Sequence, residues 1–187
     1  MRVARLALPE VMLVTPMVRG DERGAFHETW QVARYREAGL PEHWVQDNVS
    51  RSRKGVLRGL HFQHPREQGK LVSVMAGEIL DVAVDIRRGS PTFGCSVSAV
   101  LSATSAQQLF VPGGFAHGFV VTSDEAVVHY KCTDFYAPEC ERTIAWNDPA
   151  LAIDWRVAAP ILSARDAGGR RLADLAGDEL PAFDAGT

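Results

Sequence analysis

Between Lys70 and Cys132 the chain is written in short apolar runs separated by breaks rich in glycine, serine and aspartate. Leu71-Val72-Ser73-Val74-Met75 stops near Gly77, and from Ile79 to Ile86 the residues Leu80, Val82, Val84 and Ile86 alternate with Asp81, Ala83 and Asp85. Further runs follow at Cys95–Leu101, Gln108–Val111, Gly118–Val121 and Ala126–Cys132, with turn-forming segments at Arg87–Pro91, Ser102–Ala106 and Thr122–Asp124. Branched apolar residues at a period of two, broken by turn formers at near-regular spacing, predict strands. Many short strands in succession, with no helical stretch between them, predict an all-β sandwich or jelly roll.

The flanking segments add detail. Residues 1–20 alternate short apolar runs with Pro9 and Pro16, and Asp21-Glu22-Arg23-Gly24-Ala25-Phe26-His27-Glu28 reads as a charged turn running into an extended segment. Trp30 to Ala38 has helical spacing and stops at Gly39-Leu40-Pro41, the expected C-terminal glycine followed by proline. Val45 to Ser50 reads as a polar strand and Arg51 to Gly55 as a turn. Residues 133–165 are irregular and rich in Pro and Trp, and 170–187 are expected to carry a short helix.

The length of 187 residues suits a single domain over 1–187 with a sizeable core. A net charge of −3 and scattered rather than clustered arginines argue against a nucleic-acid or membrane surface, while leaving room for a local anion site. There is no leader-like N-terminus and no apolar run of membrane-spanning length. Cys95, Cys132 and Cys140 are odd in number and lack zinc spacing, which fits a protein of the reducing cytoplasm.

Two motifs carry chemistry. In Gly55-Val56-Leu57-Arg58-Gly59-Leu60-His61-Phe62-Gln63, Val56, Leu57 and Leu60 pack, while Arg58 and His61 are free for function. Gly59 marks a close approach of backbone or ligand. In Pro112-Gly113-Gly114-Phe115-Ala116-His117-Gly118-Phe119, proline and glycines bend the chain, and His117 is expected where a strand begins at the mouth of a barrel. The Pro-x-Gly-x-x-His spacing matches half of the metal motif of cupins. The other half needs two histidines one residue apart on a strand, and His61-Phe62-Gln63-His64 points its two to opposite faces. No metal site is expected.

A barrel interior that keeps His and Lys without a metal suits acid–base chemistry on a substrate that forms an anion. His61 is the natural base, since imidazole titrates near neutral pH. Asp166 could hold its tautomer if the C-terminal segment folds back, Lys70 could stabilise an enolate oxygen, and Tyr130 could donate a proton from the opposite face. Each has a plainer reading: a hydrogen-bonded core histidine, a core tyrosine, an aspartate capping a helix. Arg23 and Arg58, with Gln46 and Asn48, are candidate anion and polar-group binders, or simply a solvated face. No Walker loop, dinucleotide fingerprint, nucleophile elbow or HExxH motif is present.

Taken together, Arg23-Gly24-x-Phe26-x-Glu28, Gln46-Asp47-Asn48-x-Ser50, Arg58-Gly59-Leu60-His61-Phe62-Gln63, Gly69-Lys70-Leu71-Val72, Asp81-Val82-x-Val84-Asp85-Ile86-Arg87, Ser90-Pro91-Thr92-Phe93-Gly94, Pro112-x-Gly114-Phe115-Ala116-His117-Gly118-Phe119 and Trp146-Asn147-Asp148-Pro149 resemble the dTDP-4-dehydrorhamnose 3,5-epimerase family over roughly residues 3–175. The resemblance implies a cupin-type jelly roll (a double-stranded β-helix) with a few short peripheral helices, a dTDP-sugar substrate, a homodimer, and no metal or organic cofactor. It implies that His61 is the base, Asp166 its partner and Tyr130 the acid. It further implies that Arg23, Phe26, Glu28, Gln46, Asn48, Arg58, Lys70, His117, Tyr136, Glu141 and Arg165 contact the nucleotide sugar. Two positions depart from the family pattern: Arg165 stands where lysine is usual, and His27 where an aromatic is frequent.

The reaction implied is inversion at C3 and C5 of a 4-keto-6-deoxy sugar, in the biosynthesis of dTDP-L-rhamnose. Relatives that invert only C3 or only C5 share the same His and Tyr, so single-position epimerisation is the nearest alternative. A non-catalytic or metal-binding cupin that holds a sugar is the alternative of another class.

Overall fold

The alternating runs become strands that pair antiparallel in every ladder. A computed structural model, described over residues 1–184, contains β1 (Arg2–Arg5), β2 (Met12–Thr15), β3 (Arg19–Asp21), β4 (Gly24–Phe26), α1 (Val32–Glu37), β5 (Gln46–Arg53), β6 (Leu57–Gln63), β7 (Lys70–Ala76), β8 (Glu78–Asp85), β9 (Ser96–Ser102), β10 (Gln108–Val111), β11 (Phe115–Val121), β12 (Glu125–Cys132), β13 (Glu141–Thr143) and α2 (Ala164–Ala167). A six-stranded sheet runs β1-β2-β10-β7-β12-β5, and a five-stranded sheet runs β13-β6-β11-β8-β9. Val72, Leu109 and Val128 of the first pack on Ala83, Phe115 and Phe119 of the second, giving a two-sheet jelly roll of the cupin type. The hairpin β3–β4 belongs to neither sheet.

Parts of both outer faces are covered too. Leu80, Val82, Val84 and Ile86 of the β8 segment point away from the sandwich interior, onto Trp155, Leu172, Leu175 and Leu180 of the C-terminal segment. Met12, Val14 and Phe110 of the other sheet are covered by Tyr35 and Leu40 around α1. Antiparallel sheets often leave one face in water; here β8 and β11 are buried on both. The second face of β8 therefore carries Asp81 and Asp85 into the interior, each 0% exposed.

Several boundaries differ from the sequence expectation, each for a local reason. The segment read as a turn from Arg51 is strand as far as Arg53, because β12 extends the pairing to Glu125–Arg53. The helix begins at Val32, not Trp30: the Gln31 side chain accepts the Arg34 amide as N-cap, and Trp30 packs against the core. β11 starts at Phe115, so His117 sits inside the strand, not at its start. The stretch 133–165 contributes the edge strand β13 and the first two residues of α2. No α-helix forms among the described residues after 170, where Leu172–Asp174 and Gly177–Glu179 are single 3-10 turns; residues 185–187 lie outside the described residues. No helix among the described residues is long and apolar enough to cross a membrane.

Candidate active site

Four pairs of ladder residues define the site. His61 on β6 and His117 on β11 are direct partners, and a register shift follows between His117 and Phe119. Gly59 and Gly118 make that crossing possible: a Cβ on Gly59 would lie 2.6 Å from Gly118 Cα. Across the sandwich, Tyr130 of β12 pairs with Asn48 of β5 and Val72 of β7, and Lys70 pairs with Cys132. Because strand side chains alternate, Gln46, Asn48 and Ser50 share the inward face of β5. Between the two sheets lies a cavity of about 400 Å³, in the range of small-ligand sites.

His61 is oriented from behind. Its Nε2 lies 2.6 Å from Asp166 Oδ1. Asp166 is 4% exposed, and its carboxylate also accepts from Ser163 Oγ at 2.6 Å and the Gly59 amide at 3.2 Å. Burial alone raises its pKa, but the hydrogen bonds from His61 and Ser163 and the His61 charge outweigh that and hold it at about 2. An ionised carboxylate on Nε2 makes that nitrogen the donor and leaves Nδ1 with its lone pair for the cavity. The cap of α2 is Ser163, whose Oγ accepts the Asp166 amide at 3.1 Å, so Asp166 is free to serve His61.

The facing sheet supplies the groups of opposite character. Burial raises the Tyr130 phenol above its ordinary value, with the field of Cys132 adding and that of Arg58 opposing, so it is a proton donor at neutral pH. Burial lowers the Lys70 ammonium below the ordinary lysine value, the fields of Cys132, Glu141 and Asp81 opposing. Among the described residues the Lys70 ammonium makes no hydrogen bond or ion pair, which leaves it available to a ligand oxyanion. Arg58 donates from Nε to Ser52 Oγ at 3.0 Å, keeping its fork toward the cavity. At the mouth, Tyr136 Oη donates to Glu141 Oε2 at 2.7 Å, and Arg165 pairs with the same carboxylate.

The structure thus gathers His61, Lys70, Tyr130, Gln46, Asn48, Arg58, His117, Tyr136, Glu141 and Arg165 around one cavity, with Asp166 behind His61. Arg23, Phe26 and Glu28 are not in it. Arg23 lies on the β3–β4 hairpin, held by Asp21 at 2.5 Å, Phe26 is 73% exposed, and Glu28 pairs with Arg34 at 2.7 Å. His27 follows the same hairpin, outside the cavity. Glu141 had no signal of its own in the sequence, because β13 forms only by pairing with β6. Ser50, Gln63, Gln68 and Phe119 also line the cavity; of these, Ser50 was visible as the third member of an alternating polar series. His64, beyond the end of β6, bonds Glu67 at 2.6 Å, and no group of three or more His, Cys, Asp or Glu among the described residues is arranged to hold a metal ion.

Comparison with known proteins agrees with this geometry. Residues 5–174 match the sequence model of a family described as dTDP-4-dehydrorhamnose 3,5-epimerase. A dTDP-4-dehydrorhamnose 3,5-epimerase of Pseudomonas aeruginosa is 55% identical, over 93% of this chain and 97% of its own. A dTDP-4-dehydrorhamnose 3-epimerase of Streptomyces niveus is 40% identical, over 93% of this chain and 85% of its own. The crystal structure of a dTDP-6-deoxy-D-glucose-3,5-epimerase from Legionella pneumophila, in complex with dTDP-4-keto-L-rhamnose, superposes with a TM-score of 0.96 at 49% identity, over 98% of this chain and 99% of that one.

Proposed function

The chain belongs to the dTDP-4-dehydrorhamnose 3,5-epimerase family, and from that premise we propose that it inverts C3 and C5 of dTDP-4-dehydro-6-deoxy-D-glucose to give dTDP-4-dehydro-L-rhamnose. The observation that carries the reading is the disposition of His61 and Tyr130 on opposite walls of one cavity, with the Lys70 ammonium on the Tyr130 wall.

The chemistry needs no cofactor, because the C4 ketone acidifies the hydrogens on both neighbouring carbons. His61 Nδ1 takes the proton from carbon; the C–H electron pair becomes the C=C bond and the carbonyl pair moves onto oxygen. Lys70 and His117 hold the resulting enolate oxygen. Tyr130 then gives its phenolic proton to the other face of the same carbon, and the carbonyl reforms with inverted configuration. The imidazolium loses its proton to solvent and the tyrosinate regains one, so the site resets for the second carbon. Each positioned acid or base contributes roughly 10²–10⁴-fold. Arg58 and Arg165, with Gln46 and Asn48, hold the diphosphate and the rest of the nucleotide, a task for which the guanidinium fork is suited.

The hairpin supports a homodimer. Arg23 and Phe26 match positions that contact substrate in the family, yet they stand outside their own cavity on an arm with exposed Met17, Val18 and Phe26. An arm with that reach and composition suits insertion at the partner's cavity mouth. The three free cysteines fit a reducing cytoplasm, and the whole chain is read as one catalytic domain.

Solvent-deuterium exchange tests the reading. The protein is incubated in D₂O with the 4-keto-6-deoxy sugar nucleotide and the product examined by NMR. Deuterium at both C3 and C5 supports the double epimerase. Label at one carbon shifts the assignment to a single-position enzyme such as the Streptomyces relative, and no label leaves a sugar-binding cupin without this activity.

A further inference from the structure

Asp81 is an expensive residue with no role so far. It sits in mid-β8 between Leu80 and Val82, is 0% exposed, and does not line the cavity. Its Oδ1 lies 2.7 Å from His117 Nε2, while its Oδ2 is buried with no hydrogen-bond partner among the described residues. Taking a carboxylate out of water is costly even when every lone pair is satisfied, and here one oxygen is not. A strand that needs only to pack would carry an apolar residue at this position.

The arrangement repeats that of the base. His61 and His117 are ladder partners, each with Nε2 against a carboxylate that stands outside the cavity lining, Asp166 for one and Asp81 for the other. In both rings Nδ1 is the nitrogen left for the substrate. The two carboxylates differ in their support: Asp166 is further bonded by Ser163 and Gly59, and Asp81 only by His117.

We propose that Asp81 is a positioning residue of the epimerisation, which fixes the ring of His117 and stabilises its imidazolium so that Nδ1–H can donate to the growing enolate oxygen beside Lys70. A neutral ring with its one hydrogen on Nε2 can serve the carboxylate but has nothing to donate to an oxyanion. Both nitrogens must carry hydrogen, and a carboxylate behind the ring stabilises that charge as the oxyanion forms. The free Oδ2 leaves the negative charge of Asp81 undivided by other donors. This inference rests on the epimerase reading above and assigns the group that makes one of its two oxyanion donors effective.

The experiment is a double-mutant cycle of Asp81→Asn and His117→Gln, followed by deuterium exchange at C3 and C5, steady-state kinetics and thermal unfolding. Asp81→Asn, which keeps the shape, should lower kcat by about 10²-fold with KM changed less than about threefold. Its unfolding midpoint should equal or exceed that of the wild type, because the buried charge is gone. In the His117→Gln background the same substitution should have almost no further effect, since Asp81 acts only through that ring. ¹⁵N NMR of His117 in the free protein should show Nε2 protonated in the wild type and lose that signature in Asp81→Asn. Wild-type kcat in Asp81→Asn, or a full additional loss on top of His117→Gln, overturns the proposal while leaving the epimerase reading intact. Absence of exchange in the wild-type protein overturns both.

Discussion

His61 and Tyr130 stand on different sheets of the sandwich, one on β6 and one on β12, and line the same cavity. A sugar ring held between them would have one face toward an imidazole nitrogen and the other toward a phenol. Inversion needs a proton removed from one face and returned to the other, the two roles proposed for this pair.

His61→Ala removes the imidazole whose carboxylate partner is held at about 2, and exchange at both carbons should fall by at least about 10³-fold. Asp166→Asn keeps the shape but loses the charge that fixes the tautomer, so kcat should fall by about 10²–10⁴-fold with KM little changed. Retained exchange at either carbon in His61→Ala would remove the histidine from its role as base.

Tyr130→Phe separates abstraction from inversion. His61 can still take a proton and return a deuteron to the same face, so deuterium should enter the substrate with configuration retained, while product formation falls by about 10²-fold or more. NMR reads label and configuration in one sample. Loss of exchange together with epimerisation would place Tyr130 in the abstraction step.

The alkaline limb of the rate profile should belong to Lys70. Burial moves its ammonium below the ordinary lysine value and moves the Tyr130 phenol up, so loss of the ammonium shifts toward the working range while loss of the phenolic proton shifts away from it. Lys70→Arg, which keeps a cation at any accessible pH, should displace this limb to higher pH even with a lower plateau. A limb unmoved by that change would point to a group other than Lys70.

If the hairpin arm serves the partner's site, two damaged proteins should repair each other. Arg23→Ala and His61→Ala, each weak alone, form mixed dimers in which one site combines an intact His61 with an intact Arg23 from the other subunit. Statistical mixing should restore about a quarter of wild-type activity. No recovery under conditions where subunits are shown to exchange would assign the arm to its own subunit.

Stability should depend on acid in a defined window. Asp166 and Asp85 are each held at about 2: burial raises both, but hydrogen bonds prevail, from His61 and Ser163 for the first and from Arg87, Ser90 and Thr92 for the second. A depressed native pKa stabilises the fold above the unfolded value near 4 and is lost as pH falls toward 2. Each should cost on the order of 2 kcal/mol over that interval. Urea titrations between pH 5 and pH 2 measure the slope, and a flat profile there would contradict both carboxylates.

The strand pattern between Lys70 and Cys132 fixed the fold class, because alternation at a period of two is a property of each strand alone. The inward row of Gln46, Asn48 and Ser50 was legible for the same reason. The Arg58-to-Gln63 and Pro112-to-Phe119 motifs mark His61 and His117 in the sequence itself, as the packing of an inward polar residue is written beside it in glycines. What the one-dimensional pattern could not hold was pairing at long range. Glu141 becomes a site residue only when β13 adds to β6, and Asp166 finds His61 across more than a hundred residues because α2 docks on that strand. Asp81 reads in sequence like any polar residue alternating with apolar ones. Only the covering of both faces of β8, inside by the opposite sheet and outside by the C-terminal segment, turns it into a buried charge aimed at His117.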